Sequence, residues 1–141
     1  MVTGVCSGGN AELVRSLGAD HVIDYTKEDF TKNGKNYEVI VECVGNAPFA
    51  RVNSSIKPGG ALLLVIADLK GMIWASRTSK KSGKLVTASD WKPSAENLAY
   101  LVKLAEEGEY QAVIDRTYEF DEIIEAHRYV DTGRKKGNVV V

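Results

Sequence analysis

The sequence predicts an α/β fold with a doubly wound parallel sheet, and three observations carry that prediction. Short apolar runs rich in β-branched residues alternate along the chain with stretches of helical periodicity. Glycine-bearing turns punctuate them after Cys6, at Gly45 and at Pro58, Gly59 and Gly60. The runs YEVIVECV and ALLLVI are apolar almost without alternation, the pattern of strands covered by helices on both faces.

The first element is a strand over residues 2–6, which leads directly into the turn Ser7, Gly8, Gly9 and Asn10. Asn10 is placed to cap a short helix with Leu13, Val14 and Leu17 on its apolar face, and Gly18 ends it. Strand, glycine turn and helix make half of a βαβ unit with no strand before it, so the chain reads as starting in the middle of a fold. A short strand follows over residues 21–25 (HVIDY), and Thr26 with Asp29 reads as a capping box opening a brief helix. Residues 37–44 are the strongest strand signal. Residues 47–56 read as a helix packing Phe49, Val52 and Ile56, broken by Pro58, Gly59 and Gly60 before a strand at 61–66.

Residues 68–84 read as a long loop or lid, with Met72, Ile73 and Trp74 as a buried turn of helix and Arg77, Lys80, Lys81 and Lys84 as a solvated basic stretch. A strand at 85–88 comes next. Ser94 then caps an amphipathic helix carrying Leu98, Leu101, Val102 and Ala105 on one face. Short strands at 112–114 and 117–120, a helix capped by Asp121 and carrying Ile123, Ile124, His127 and Val130, and a strand at 138–141 complete the chain.

Of 141 residues, 44% are hydrophobic and 26% charged, which is ordinary globular composition with enough apolar surface for a core. The net charge of -1 provides no electrostatic footprint for nucleic acid or an anionic membrane. No apolar run approaches the roughly 20 residues of a membrane span, and the N-terminus lacks the regions of a secretion signal, so a soluble, cytoplasmic chain is expected. Cys6 and Cys43 lie in apolar runs and read as small buried hydrophobes. Two cysteines and two histidines without ligand spacing predict no metal site.

In doubly wound sheets, ligands bind beyond the carboxyl ends of the strands, which singles out the loops at 7–10, 25–26, 44–47 and 67–71. Ser7, the amides of Gly8 and Gly9 and the side chain of Asn10 read either as an anion cradle or as a tight turn whose glycines serve geometry alone. The turn itself holds no cation. His21, Asp24 and Tyr25 cluster in sequence, but strand alternation separates their directions, and no catalytic constellation is assigned.

The segments VTGVCS, ELVRSLGADHVIDY, YEVIVECVGN, KPGGALLLV and LVKLAEEGEYQAVIDRTYEFDEIIEAHRYVDTGRKKGNVVV together resemble the C-terminal part of a medium-chain dehydrogenase/reductase. The similarity is strongest to the zinc-independent quinone oxidoreductase branch and covers nearly the whole chain. It implies an incomplete Rossmann-type sheet over residues 1–110 that lacks the first strand and its glycine-rich loop. Residues 111–141 would then be the segment that packs in the family on a GroES-like catalytic domain. The implied activity is hydride transfer from NADPH to a quinone or an α,β-unsaturated carbonyl.

By position, Ser7, Gly8, Gly9 and Asn10 resemble the family's 2′-phosphate loop and Tyr25 the residue beside the adenosine. Cys43, Val44 and Gly45 resemble the wall of the cofactor groove. Val65, Ile66 and Ala67 fall near its nicotinamide end, and Asn138 falls at a C-terminal position close to the cofactor. Family members often carry a basic residue where this chain has Gly8 or Gly9, so NADP against NAD stays open. No G-x-G-x-x-G opens a helix here, so weak or absent NADP binding is expected of a truncated chain that is inactive alone.

In the strand order 3-2-1-4-5-6 the missing strand is central, and the strands at 2–6 and 37–44 would present unpaired edges. Their direct pairing, or a strand exchanged with a second copy in a homo-oligomer, would close the gap. Two other readings stay open. One is a non-catalytic nucleotide-binding or assembly module; the other is a methyltransferase-like fold, because KPGGALLLV also resembles the turn and strand that follow an S-adenosylmethionine site.

Overall fold

The computed structural model describes residues 1–67, 69–88 and 94–141, except for the side chains at positions 69, 70 and 72. Strands β1 (Thr3–Cys6), β2 (His21–Asp24), β3 (Tyr37–Glu42), β4 (Ile56–Leu64), β5 (Leu85–Ala88), β6 (Ile114–Thr117) and β7 (Asn138–Val140) alternate with helices. The helices are α1 (Ala11–Ser16), α2 (Phe49–Val52), α3 (Leu69–Ser82), α4 (Ala95–Glu106) and α5 (Ile123–Asp131). Every strand pairing is parallel, as the alternation predicts, but the strands form three small sheets: β1-β2, β3-β4-β5 and β6-β7. β1 and β3 do not pair with each other. No helix among the described residues is long and apolar enough to cross a membrane.

The core sits on the three-stranded sheet. Ala47, Val52, Ile56, Leu62, Ala75 and Val86 are buried together, with Phe30, Ile40, Phe49 and Leu64 packed around them. β3, predicted to be covered on both sides, is covered on one: Ile40 joins the core while Val39 and Val41 are half exposed. Val39 and Val41 point to the face opposite Ile40, away from the core.

Residues 57–60 do not end a helix before a strand, as their Pro-Gly-Gly content predicts. β4 begins at Ile56 and carries them as an irregularity in its ladder with β3, since Tyr37 pairs with Ile56 and Val39 pairs with Ala61. The predicted helix over 47–56 shrinks to α2 and a 3₁₀ turn at Asn53–Ser55. Thr26 opens no helix. Its neighbour Asp29 caps a 3₁₀ turn at Phe30–Lys32 by accepting from the Thr31 amide.

The largest correction concerns the segment read as a loop. Asp68 lies outside the described residues, but residues 69–82 form α3, packed on β5. Gly71, three serines and a threonine give this segment poor intrinsic helix propensity. Burial of Ala75 against Val86 and Leu62 supplies what propensity does not. Ile73 and Trp74 are substantially exposed rather than buried, although Trp74 meets the Phe49 ring edge-on at 6.2 Å. Arg77, Lys80 and Lys81 ride on this helix, and Lys84 donates to the Asn53 carbonyl at 2.5 Å.

Ser94 caps α4 as predicted, accepting from the Asn97 amide at 3.1 Å. The apolar face of α4 is nevertheless uncovered, with Leu98, Leu101 and Val102 all exposed. In the tail, one strand, β6, replaces the two predicted. Asp115 and Arg116, which fall between the two predicted strands, are both satisfied inside β6. Asp115 accepts from the Tyr129 hydroxyl at 2.6 Å and from the Lys136 amide at 2.9 Å, while the Arg116 guanidinium lies 3.8 Å over the Tyr129 ring. The entry to α5 is held by Glu122, which accepts from the Glu119 amide at 3.0 Å, and not by Asp121.

Leu62 is fully buried and Leu98 is 63% exposed. Leu62→Ala should therefore lower the stability measured by urea unfolding by about 2–5 kcal/mol. Leu98→Ser should change it by no more than about 0.5 kcal/mol. Equal losses would mean that α4 is packed.

Candidate functional site

A cavity of about 570 Å³ opens between the free edges of β1 and β3. That is within the size range of small-molecule sites. Thr3, Val5 and Cys6 line it from β1, and Tyr37, Val39, Ile40 and Val41 from β3. Ser7, Asn10, Tyr25, Cys43, Val44 and Asn46 surround it where these strands end. Strand edges thus form its walls and the carboxyl-end loops its mouth, the arrangement expected of a nucleotide site in a parallel sheet.

Three carboxylates shape these loops. Glu42, 5% exposed at the end of β3, accepts through Oε1 from the amides of Val44 at 2.8 Å, Gly45 at 2.6 Å and Asn46 at 3.3 Å. Gly45 adopts a φ of 86°, which lets all three amides turn toward one oxygen. Asp29 accepts from the amide and hydroxyl of Thr31 at 3.0 and 2.8 Å, and Arg51 reaches it at 3.4 Å. Arg51 also donates to the Asn46 carbonyl at 3.2 Å, which ties the β3 loop to the turn after β2.

Asp24 ends β2 and accepts from the Thr26 amide at 3.0 Å and hydroxyl at 2.7 Å. Its carboxylate lies directly behind the first turn. A Cβ on Gly8 would come within 2.5 Å of Asp24 Oδ2, whereas nothing lies within 4 Å of the same position at Gly9. A side chain at Gly8 would have to displace the Asp24 carboxylate. The hydroxyl and then the amide of Thr26 hold the Asp24 carboxyl below its usual range, with smaller contributions from Lys27 and the Gly8 amide.

Within the turn, Asn10 N donates to the Ser7 carbonyl at 2.9 Å. The Asn10 side chain does not cap α1, contrary to the prediction. A cation does reach the turn from far along the chain: Lys136 Nζ donates to the Gly9 carbonyl at 2.9 Å.

Of the residues singled out from sequence, Ser7, Asn10, Tyr25, Cys43 and Val44 line the cavity, and Gly8, Gly9 and Gly45 belong to the same two loops. Val65, Ile66 and Ala67 follow β4 outside the cavity lining, with Val65 and Ile66 exposed. Asn138 is likewise outside, its side-chain amide donating to the Val113 carbonyl at 3.2 Å. Cys43 is exposed and Cys6 half-buried, so neither is the core residue its apolar context predicts. Glu42, Asp24, Arg51 and Lys136 were not foreseen. Only Glu42 had a visible signal, an acid closing an otherwise apolar strand. Among the described residues no three His, Cys, Asp or Glu side chains converge as metal ligands.

Hydrogen bonds from Thr26, Thr31 and Tyr129 respectively are the leading cause of a lowered pKa for Asp24, Asp29 and Asp115. A carboxylate whose folded-state pKa is depressed contributes stability above its unfolded value of about 4 and loses that contribution as pH falls through the folded value. The urea midpoint should therefore drop as pH is lowered below about 4. Asp24→Asn should flatten part of that drop. A midpoint unchanged down to about pH 2 would contradict the assignment.

Residues 17–141 match the family model described as zinc-binding dehydrogenase. The chain is 29% identical over 145 residues to a chloroplast envelope quinone oxidoreductase homolog of Arabidopsis thaliana, covering 99% of this chain and 44% of that protein. It is 32% identical over 142 residues to the 2-methylene-furan-3-one reductase of Solanum lycopersicum, covering 99% of this chain and 33% of that protein. The quinone oxidoreductase of Coxiella burnetii shares its fold, with a TM-score of 0.76 at 24% identity over 99% of this chain and 44% of that one. The chain thus spans less than half the length of the relatives it matches. It belongs to the zinc-binding dehydrogenase family, as a C-terminal part within the medium-chain dehydrogenase/reductase superfamily.

Proposed function

We propose that this chain is the cofactor-binding portion of an NAD(P)H-dependent oxidoreductase of the quinone or enone reductase type. The observation that carries the proposal is the cavity at the carboxyl ends of β1 and β3, with the loops of Ser7, Tyr25 and Cys43 gathered at its mouth. A bound reduced nicotinamide would supply the hydride. The chain's own part is to bind and orient. The turn of Ser7 would hold the ribose-phosphate end, and the Glu42-held loop of Val44 and Gly45 would form a wall of the groove.

Because the chain spans under half of its relatives' length, reduction of a quinone or enone is proposed of the whole protein. The same cavity also fits a second reading, a non-catalytic nucleotide-binding module. Both readings require a nucleotide at the cavity, and only the first requires turnover when the rest of the family architecture is supplied.

Titration of the purified chain with NADPH, NADH and S-adenosylmethionine tests the proposal. The expected result is saturable but weak NADPH binding, with a Kd above about 10 μM, roughly -7 kcal/mol. S-adenosylmethionine should not bind. NADPH binding absent up to about 10 mM, near -2.7 kcal/mol, would overturn the nucleotide reading.

We also propose that a second copy meets the edges of β1 and β3 along the strands themselves, at half-exposed Val5, Val39 and Val41, and leaves the loops at their carboxyl ends to the nucleotide. Light scattering at micromolar concentration should then give a mass above that of one chain. A monomeric mass would contradict the association.

A further inference from the structure

We infer that the cavity binds a small organic cation, a primary ammonium on an apolar body, and that Glu42 is the residue that recognises it. The site lies in the wall formed by β3. It does not depend on the nucleotide reading, which places its ligand at the loops beyond the strand ends.

The Glu42 carboxylate has one oxygen in use and one left over. The residue is 5% exposed, and its side-chain hydrogen bonds, from the amides of Val44, Gly45 and Asn46, all fall on Oε1. Oε2 has no hydrogen-bond partner among the described residues, and Glu42 enters none of the ion pairs found there. Yet no fully buried side-chain oxygen or nitrogen among the described residues lacks a partner. Oε2 therefore keeps some accessible surface, and because Glu42 lines the cavity, that surface opens into it. An acceptor held in a nearly buried side chain without a donor is poorly solvated, so a ligand donor there gains more than the same donor would in open water.

The surroundings choose the sign of the donor. Glu28, Asp29 and Glu42 line the cavity, and Arg51 is the one cationic side chain among the lining residues. Arg51 is engaged elsewhere, reaching Asp29 at 3.4 Å and donating to the Asn46 carbonyl at 3.2 Å. Glu28 and Glu42 are thus left without a matching cation in the lining. A second carboxylate brought to Oε2 would be repelled, whereas an ammonium would make a charge-assisted hydrogen bond. The apolar body has surface to meet as well. Ile40 shares the Glu42 face of β3 by strand alternation, and the rings of Phe30 and Tyr37, 6.1 Å apart and edge-on, also line the cavity. Aromatic faces add attraction for a cation.

The alternative is that Glu42 only pins the loop of Val44, Gly45 and Asn46, and four small probes separate the two roles. The full chain is titrated at about pH 7, where an alkylamine is protonated, with benzylamine, benzyl alcohol, benzoate and benzyltrimethylammonium, and binding is followed by amide chemical shifts. Benzylamine should bind with a Kd of about 1 mM. That is about tenfold or more tightly than benzyl alcohol, and benzoate should not bind. Benzyltrimethylammonium carries the charge without an N–H donor and should bind at least about fivefold more weakly than benzylamine. The largest shifts should fall on the amides of Val44, Gly45 and Asn46, which share the carboxylate. Glu42→Gln keeps an oxygen for those amides and puts an NH2 group in place of Oε2. It should bring benzylamine to within about twofold of benzyl alcohol.

No preference of the unaltered chain for benzylamine over benzyl alcohol and benzoate, or a preference unchanged in Glu42→Gln, would overturn the inference and leave Glu42 as an anchor of its loop. If Glu42→Gln does not fold, the unaltered chain decides. There, benzyltrimethylammonium binding as tightly as benzylamine, or shifts that avoid residues 44–46, would overturn it. No nucleotide enters the experiment, so a failed NADPH titration leaves this inference standing and its own failure leaves the nucleotide reading untouched.

Discussion

Two strand edges with no hydrogen-bonded neighbour, one on β1 and one on β3, govern the rest of this molecule. A β-edge is a row of backbone donors and acceptors, and leaving two of them face to face holds a sheet apart as two smaller ones. The consequences are visible in the side chains. Val39 and Val41 are half exposed, and the space between the edges is a cavity of about 570 Å³. The main buried cluster belongs to β3, β4, β5 and the helices packed on them. Among the described residues, β1 and β2 contribute only Ile23 to the buried hydrophobic residues.

Because little apolar burial joins the units, polar contacts at their ends do much of the joining. Glu42, Asp24 and Asp29 each fold a loop around one carboxylate by accepting amides from the next few residues. Arg51 then links the turn after β2 to the loop after β3, and Lys136 links the C-terminal segment to the turn after β1. These contacts converge on the carboxyl ends of the strands. The groups that hold the units together are therefore the groups that shape the mouth of the cavity.

The parallel α/β architecture was legible because it rests on local signals: apolar runs, the turn after Cys6 and the Ser94 cap all behave as their residues dictate. α3 was not legible. Its serines, threonine and glycine argue against a helix, and the burial of Ala75 that overrides them is a contact with residues distant in sequence. β6 was split for the same reason, since nothing local shows that Tyr129 and the Lys136 amide will satisfy Asp115. α4 fails in the opposite sense: its amphipathic pattern is real, but Leu98 and Leu101 are exposed.

The site divides along the same line. Ser7, Asn10, Tyr25, Cys43 and Val44 were found because strand ends are local, and Arg51 and Lys136 were missed because their partners, Asp29 and Gly9, lie far from them in sequence. The account stands on the gap being the approach to a nucleotide site, which membership of a dehydrogenase family makes chemically coherent. Mapping amide chemical-shift changes across the chain during an NADPH titration tests this most directly. The largest changes should fall on residues 7–10, 25 and 43–45, around the mouth of the cavity. Changes confined to α4 or α5, with those loops unmoved, would contradict the account.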